Sequence, residues 1–510
     1  MNFRNLCSVV CLVVVVALTT AVANAAVNVL QVESDFLLDA GYQYAPVDFT
    51  GSTTQPFSGI TCHALSTTSS STYSAHATVV SNQLLTAAGL GTVTDIYCLN
   101  ATRALGDNTS TSFLESYVWS NPSPTALGND IKVVNHSWAA AYPTTTTNTA
   151  AIQRIDYMIH RDDLVMVSGA VTGASPSSPA SLVWSSRNGI AVRGATYSTD
   201  DYNSFAFHPS DVASGIGKTH ADLWGPTINA TYLPPSYQTG AVSGCAAALV
   251  AAAGTHPDWS SANGSYGLHH EVVKSLLMTG ANKTAFDTTI DGGFTEWNRE
   301  TSNNLDAKSG AGRVVYSTSL AVLNAGPQMM ASVSGSTVVS PTIVTTTAGW
   351  VYDSSLSGGS SEALIVDLTG KTLTELTATL AWDAPLMSDS TFTNLDLKLV
   401  HVTKDGNTYT LSDTVDVTGA VSNTGSASST TSDNLEHLYF TGATLTDGLY
   451  AFVISNIDTA SLSSGGYGFS YTMTTVPEPG TLLMFVTGLA VGLAYFGTRK
   501  ISWAKSRLIG

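Results

Sequence analysis

Charged residues are scarce in this chain, since Asp, Glu, Lys and Arg make up only 11% of its 510 residues. Basic residues are the rarest of them: 20 Lys and Arg stand against 37 Asp and Glu, and the formal net charge is −17. Nucleic acid is therefore not an expected partner, because binding it requires clustered Lys and Arg. The low charge also argues against a lysine-rich cytosolic surface and is typical of an exported protein.

The chain also lacks a recognisable metal-ligand frame such as HExxH, and no calcium loop is evident. His269, His270 and Glu271 stand next to one another, and we expect them to cap or flank a helix. His220 and Asp222 lie in a loop and are expected to be structural. The sequence therefore predicts no metal site and no cofactor.

Residues 1–25 have the pattern of a secretory signal peptide. Arg4 precedes a long apolar run, and the segment ends on a small-x-small site that predicts cleavage after Ala25. Cys7 and Cys11 would be removed with this segment.

Cysteine is scarce in the rest of the chain, which holds three of the five. Cys62 and Cys98 could form one disulfide in an oxidising compartment, a pairing that the sequence leaves open. Cys245 lies in an apolar stretch and is expected to be a core residue.

Residues 26–325 alternate short apolar strands with helical patterns. Near-continuous apolar strands separated by helices predict an α/β domain with a parallel sheet and helices on both faces. Residues 326–475 instead alternate at period two, with Gly, Ser, Asp and Asn between the runs. This pattern predicts an all-β sandwich domain, jelly-roll-like in architecture.

Residues 476–510 carry a Pro-Glu-Pro motif at 477–479, an apolar span at 481–496 and a basic end. The span predicts a C-terminal transmembrane helix with its basic end in the cytoplasm. The three parts in this order resemble the PEP-CTERM sorting signal of Gram-negative bacteria. That resemblance implies an inner-membrane anchor, processing by an exosortase, and a final location at the cell surface or outside the cell.

The helix predicted at 235–254 has small residues at spacings of three, four and seven, so one stripe has almost no bulk. Ser236 lies at its N-terminus, where free N–H groups and a positive partial charge would stabilise a nucleophile and an oxyanion. An ordinary N-cap is the alternative interpretation. The small residues of the stripe are Gly240, Ser243, Gly244, Ala247 and Ala251.

Three polar residues follow predicted strands or open predicted helices, where a parallel sheet collects its functional groups. Glu33 ends the first strand, His76 opens the next helix, and Ser236 opens the small-residue helix. An acid, a histidine and a serine from separate segments are what base-assisted nucleophilic attack requires.

The segments VNVLQVES, AHATVVSN and PSYQTGAVSGCAAAL resemble the Asp, His and Ser blocks of subtilisin-like serine proteases, the subtilases, in the same chain order. Further blocks agree at 135–138, 189–195, 217–226, 271–281 and 306–315, so the resemblance covers 27–325. It implies a subtilisin-like fold and an exported serine endopeptidase that acts on a protein or peptide substrate. Its catalytic residues would be Ser236, His76 and Glu33.

The chain departs from the subtilase pattern at several positions. Glu33 stands where the family has Asp, with Asp35 and Asp48 as the other candidates for that role. Two prolines, at 234 and 235, precede the serine in place of Gly-Thr. The Thr that the family has two residues after its histidine is retained here as Thr78.

The block that carries the family's oxyanion Asn reads SGAVTGA here, with Ala170 or Val171 at the amide position. Losing such a donor costs on the order of 10²–10³ in rate. Thr172 is a candidate substitute, His136 a candidate cleft residue, and Asn135 is expected to be structural. The alternative function is therefore a catalytically impaired pseudoprotease acting as a surface or matrix protein.

Overall fold

The computed structural model describes the strands and helices of both predicted domains and the segments that join several of them. The described residues are 26–33, 54, 57–64, 74–101, 131–138, 145–170, 183–194, 218, 220–226, 235–256, 269–283, 297, 303–306, 309–384, 393–414, 433–445, 448–458, 462 and 465–477. The predicted signal peptide lies outside them.

Strands and helices alternate in the first part, as the apolar runs predict. The strands are β1 (Val27–Glu33), β2 (Thr61–Ala64), β3 (Val93–Asn100), β4 (Ile131–His136), β5 (Val165–Gly169), β6 (Ile190–Arg193) and β7 (Leu223–Trp224). The helices are α1 (Ala75–Ala88), α2 (Thr145–Asp162), α3 (Pro235–Thr255), α4 (His270–Thr279) and α5 (Tyr316–Asn324), with a short 3₁₀ turn at Val183–Ser185.

The seven strands form one parallel sheet in the order β2-β3-β1-β4-β5-β6-β7. Side chains of β1 alternate between its two faces. Val27 and Val29 join a core with α1, α3 and α4, whereas Leu30 and Val32 join a core with α2. Helices therefore cover both faces, and the predicted parallel α/β arrangement is confirmed.

The second part is built from antiparallel strands with one parallel pair. Its strands are β8 (Ala331–Ser334), β9 (Thr337–Val338), β10 (Ile343–Val344), β11 (Ala348–Asp353), β12 (Ser361–Asp367), β13 (Lys371–Trp382), β14 (Leu395–Asp405), β15 (Thr408–Thr414), β16 (Leu435–Leu445), β17 (Leu449–Asn456) and β18 (Tyr467–Pro477). Four of them form a sheet in the order β11-β18-β13-β16, and the other seven form a second sheet.

The predicted jelly-roll-like sandwich is wrong, because the larger sheet closes on itself. Its strands follow the order β12-β17-β14-β15-β9-β8, and β8 pairs back onto β12. The first half of β12 pairs with β8, and its second half pairs in parallel with β10. Period-two alternation specifies which side chains face inward, but it is the same for an open and a closed sheet. Which edges pair is decided by long-range contacts that the pattern does not encode.

The predicted fold class also includes a C-terminal transmembrane helix. Among the described residues, no helix combines the length and the apolar character needed to cross a membrane. The apolar span at 481–496 lies outside the described residues. The last described element is a strand: β18 runs through Val476 to Pro477, the first residues of the predicted sorting segment, which pair with Thr372 and Lys371.

The four-stranded sheet lies between the α/β part and the closed sheet. One of its faces contributes Ala381 and Trp350 to the core around α3 and α4. Its other face contributes Leu380 and Phe469 to a core with the closed sheet. The two parts therefore share buried surface, and α4 packs directly on β13 and β18.

Candidate active site

Two helices begin at the carboxyl edge of the parallel sheet, and each presents a polar side chain in its first turn. Helix α1 starts after Ser74, whose Oγ accepts a hydrogen bond from the Ala77 N–H at 3.2 Å. His76 is the second residue of this helix. Helix α3 starts at Pro235, a residue favoured there because its missing N–H has no acceptor in the first turn. Ser236 follows directly.

The structure brings Ser236, His76 and Glu33 together in one hydrogen-bonded line. His76 Nε2 lies 2.9 Å from Ser236 Oγ, and His76 Nδ1 lies 3.0 Å from Glu33 Oε2. When the imidazole carries its proton on Nδ1, that N–H donates to Glu33 and the Ser236 hydroxyl donates to Nε2. Both distances are within the range for a nucleophile, its base and the group that orients the base.

The residues of this line differ in their access to solvent. The His76 side chain is 40% exposed and Ser236 is half-buried, whereas the Glu33 side chain is 2% exposed. Burial raises the pKa of the Glu33 carboxyl, and its hydrogen bond with His76 acts in the opposite direction. The ring of Tyr237 lies 5.5 Å from that of His76 and covers one side of it. A substrate can therefore reach the serine and the histidine but not the acid.

Gln31, on the same face of β1 as Glu33, holds the buried acid in place. Its Nε2 donates to Glu33 Oε1 at 3.2 Å and to the Ala77 backbone oxygen at 2.9 Å. Its Oε1 accepts from Ser81 Oγ at 2.6 Å. Gln31 thus links the acid of β1 to the helix that carries the histidine, and both oxygens of Glu33 have partners.

The small-residue stripe of α3 lets this helix lie directly against α1. A Cβ atom added at Gly240 would lie 2.7 Å from the backbone oxygen of Val80. One added at Gly244 would lie 2.2 Å from that of Leu84. The contact repeats after four residues in both helices, so the two run in the same direction with matched register.

This register also determines the distance between the nucleophile and the base. Four residues before Gly240 and Val80, one turn toward the helix N-termini, stand Ser236 and His76. Close packing of the two helices therefore places these two side chains opposite each other.

Three glycines at the ends of neighbouring strands let the first turn of α3 rest on the sheet edge. An added Cβ would lie 2.9 Å or less from a neighbouring atom at each of them. They are Gly169 against Thr239, Gly194 against Pro235, and Gly225 against Gln238.

Polar residues at the end of β4 hold the helix turn that carries the serine. Ser137 Oγ donates to the Ser236 backbone oxygen at 2.9 Å, and Asn135 Nδ2 donates to Ser137 Oγ at 2.9 Å. Asn135 Oδ1 accepts from Ser243 Oγ at 3.0 Å. Asn135 is fully buried and engaged in these bonds, so its side chain braces α3.

Ala170 directly follows β5 and is 1% exposed; its N–H donates to the Val192 backbone oxygen at 2.7 Å. The methyl side chain supplies no donor for an oxyanion. The first turn of α3 does supply donors, because its N–H groups, including that of Ser236, have no acceptor within the helix. Val171 and Thr172 lie outside the described residues.

Among the described residues, the other candidates from the sequence do not join this hydrogen-bonded line. His136 is 1% exposed, accepts a hydrogen bond from Trp138 Nε1 at 3.0 Å, and has its pKa lowered to about 3 by burial. His220 and Asp222 are buried. Asp35 and Asp48, the alternative acids, lie outside the described residues.

None of the three described cysteines forms a disulfide. Cys62 Sγ and Cys98 Sγ lie 3.5 Å apart on neighbouring strands, and Cys245 is buried in α3, as expected of a core residue. One group of metal-ligand atoms stands out among the described residues: Asp163, His270 and Glu271 each offer an atom within 4.8 Å of the others.

No family model and no curated protein matches the chain. Among solved structures, tripeptidyl peptidase 2 is similar over 79% of this chain at 10% identity, with a TM-score of 0.31, and the similarity spans 40% of the peptidase. The Yersinia pseudotuberculosis-derived mitogen is similar over 26% of this chain and 90% of its own, at 16% identity and a TM-score of 0.16. The Cry4Aa toxin from Bacillus thuringiensis is similar over 27% of this chain and 26% of its own, at 8% identity and a TM-score of 0.14. Scores this low carry no conclusion about function.

Sequence reasoning missed the residues that support the acid and the serine. Gln31 was visible as a polar residue two positions before Glu33 on a mostly apolar strand, a spacing that puts both side chains on one face. Ser137 stood in a block already singled out, but nothing local indicated that its hydroxyl reaches α3.

Proposed function

We propose that the chain is a serine hydrolase that cleaves peptide bonds with Ser236 as nucleophile, His76 as base and Glu33 as the group that orients the base. One observation carries the proposal: two consecutive hydrogen bonds, 2.9 Å and 3.0 Å long, connect the serine hydroxyl through the imidazole to a buried carboxylate.

The chemistry follows from this line of contacts. His76 Nε2 takes the proton of Ser236 as the serine oxygen attacks the substrate carbonyl carbon, and Glu33 stabilises the imidazolium that forms. The carbonyl oxygen becomes an oxyanion beside the first turn of α3, where N–H groups and the helix dipole favour negative charge. His76 then protonates the leaving amine, and water releases the acyl group by the same steps.

A second candidate function is that of a catalytically impaired pseudoprotease. The methyl group of Ala170, buried directly after β5, favours this reading, since no side-chain amide is offered there. With one oxyanion donor missing, turnover would be lower by on the order of 10²–10³ even though the nucleophile is intact.

The test uses a fluorophosphonate probe, which reacts with an activated serine hydroxyl, together with a peptide-cleavage assay. We expect wild-type chain to be labelled and to cleave peptides, and Ser236→Ala to do neither. Ser355→Ala, which removes an exposed hydroxyl in the β part, is the matched control and should leave both activities unchanged.

Labelling without peptide cleavage would select the pseudoprotease. A folded wild-type chain that reacts with no probe would rule out the hydrolase, and labelling that survives Ser236→Ala would exclude this serine as nucleophile.

A further inference from the structure

A cluster of histidines and carboxylates lies where three elements meet, between the α/β part and the four-stranded sheet. Asp163 follows the end of α2, and His269, His270 and Glu271 open α4. The backbone of Gly468 in β18 packs against the first turn of α4, because an added Cβ there would lie 2.4 Å from the Glu271 carbonyl carbon. The cluster is therefore enclosed by both parts of the molecule.

Three atoms of this cluster face one another at short range. His270 Nδ1 lies 3.1 Å from Asp163 Oδ1 and 3.4 Å from Glu271 Oε2. His270 is 4% exposed and Glu271 is 3% exposed. Two carboxylates and one imidazole thus converge at a site that is buried on the side of His270 and Glu271 and open to solvent at Asp163, whose side chain is 27% exposed.

The hydrogen bonds of the cluster leave two buried atoms unsatisfied. Among the described residues, Glu271 Oε2 and His270 Nε2 have no hydrogen-bond partner. A buried carboxylate oxygen without a partner is costly, and such atoms in folded proteins call for a specific explanation. A cation held between the carboxylates would be the missing partner of Glu271 Oε2.

We propose that Asp163, His270 and Glu271 form a site for a divalent transition-metal ion, with Zn²⁺ as the ion that fits best. An imidazole nitrogen beside carboxylate oxygens suits zinc better than calcium or magnesium, which favour all-oxygen sites. Ligands about 2.0 Å from a tetrahedral zinc ion stand about 3.3 Å apart, and the two distances from His270 Nδ1 bracket this value. A water molecule would complete the tetrahedron.

Neighbouring polar groups contact two of the three proposed ligands from outside the site. Asp163 Oδ2 lies 3.1 Å from His269 Nδ1, so the second carboxylate oxygen is held. The Asp383 carboxylate, at the end of β13, lies 3.7 Å from His270 Nε2, on the side of the ring away from the site. His160 and Asn188 hold Asp383 in turn. At this distance Asp383 makes no hydrogen bond with Nε2, but its negative charge behind the ring raises the basicity of the ligating imidazole.

This site is separate from the proposed peptidase chemistry and does not depend on it. Its ligands come from the α/β part, whereas Asp383 and Gly468 behind them belong to the four-stranded sheet. A bound ion would therefore stabilise the junction of the two parts, and removing it would lower the melting temperature.

The first test is calorimetric titration of the full chain with Zn²⁺ after chelator treatment. We expect one ion per chain and a melting temperature that rises with Zn²⁺ and falls with EDTA. Asp163→Asn should weaken Zn²⁺ binding by at least about tenfold. Asparagine tolerates the φ of 51° at this position, and its amide oxygen can keep the hydrogen bond from the His270 N–H.

Glu271→Gln is the second variant and should weaken binding as strongly. Asp95→Asn is the matched control, because it removes a carboxylate paired with a single histidine, His63, elsewhere on the surface. It should bind Zn²⁺ like wild type. Wild-type chain that does not bind Zn²⁺, or binding that neither ligand variant weakens, would overturn the proposal.

A measurement on the wild-type chain tests the proposal even if both variants fail to fold. X-ray absorption at the zinc edge should show only nitrogen and oxygen ligands with one histidine. A sulfur ligand would place the ion at the cysteines, Cys62 and Cys98, and contradict the assignment.

Discussion

Glu33 stands where the resemblance to subtilases predicts a shorter acid, Asp, and its surroundings show how the longer side chain reaches His76. Gln31 fixes one carboxylate oxygen and His76 engages the other. The acid is therefore held at a defined distance from the imidazole in spite of its extra methylene. Its role in the chemistry stays a prediction, which a charge-removing variant tests.

Glu33→Gln keeps the size of the side chain but removes its negative charge. The imidazolium loses its stabilising partner, and an amide facing His76 favours the wrong tautomer. We expect the rates of peptide cleavage and probe labelling to fall by about 10³–10⁴. Kinetic assays on folded protein, checked by circular dichroism, measure this.

Glu33→Asp is the control that separates the loss of negative charge from a change in side-chain length. It keeps the carboxylate and should retain part of the activity lost in Glu33→Gln. Equal activities of Glu33→Gln and wild type would show that the buried acid takes no part in the chemistry.

The packing of helix α3 against helix α1 brings Ser236 and His76 together and so assembles the site. The small-residue stripe on α3 was visible in the sequence, and its lack of bulk is what allows close packing in the structure. What the stripe packs against was not visible, because the partner surface on α1 is backbone and carries no sequence signal.

Gly244→Ala tests the close packing. Alanine favours a helix over glycine by about 1 kcal/mol, but its Cβ would lie 2.2 Å from the Leu84 backbone oxygen. The helices must move apart, so we expect a net destabilisation of about 1–3 kcal/mol in urea unfolding. The Ser236–His76 distance should lengthen, and probe labelling should slow.

Gly254→Ala, at the half-buried end of the same helix, is the control. Alanine at this position also favours the helix over glycine, and the variant should leave probe labelling unchanged. A more stable Gly244→Ala protein with normal labelling would contradict the packing argument.

At the scale of the whole molecule, a buried ion pair joins the α/β part to the strand sheet. Asp433, just before β16, lies 2.9 Å from His220 Nε2, and both side chains are nearly fully buried. Burial would lower the pKa of His220, but the hydrogen bond with Asp433 and the negative charges of Asp433 and Asp222 together outweigh burial, and the pKa is raised. Burial would raise the pKa of Asp433, but the same bond and the positive charges of His220, Lys274 and Lys218 together hold the pKa well below its usual range.

The pH dependence of this pair follows from the two directions. The Asp433 contribution to stability is complete above its unfolded pKa, about 3.9, and is lost as pH falls through the lower folded value. The His220 contribution is complete below its unfolded pKa, about 6.5, and is lost as pH rises through the higher folded value. The pair therefore stabilises the fold most between about pH 4 and 6.5.

Asp433→Asn should lower the free energy of unfolding by about 3 kcal/mol in that window, because it leaves a buried histidine without its charged partner. The difference from wild type should shrink as pH rises above the window. Urea unfolding at several pH values measures it, with Asp95→Asn as the control for an exposed His–Asp pair. A difference that does not change with pH would exclude the ion pair as its cause.

The chain order of Glu33, His76 and Ser236, and the elements that carry them, could be predicted because strand and helix periodicity is local. Periodicity also indicated a parallel sheet covered on both faces and an all-β second part. The hydrogen bonds of Gln31 and Ser137 could be predicted only in part, because bonds between elements distant in the sequence produce no local residue pattern.

Which residues face inward along each strand and helix follows from the amino-acid order alone, since side-chain direction repeats with the backbone period. The return of β8 to β12, which closes the larger sheet, and the contact of Asp163 with His270 and Glu271 across more than a hundred residues become apparent only in the folded chain. Both results depend on which edges and ends of distant elements come together. Contacts of this kind arise from packing of the whole chain, and no local pattern encodes them.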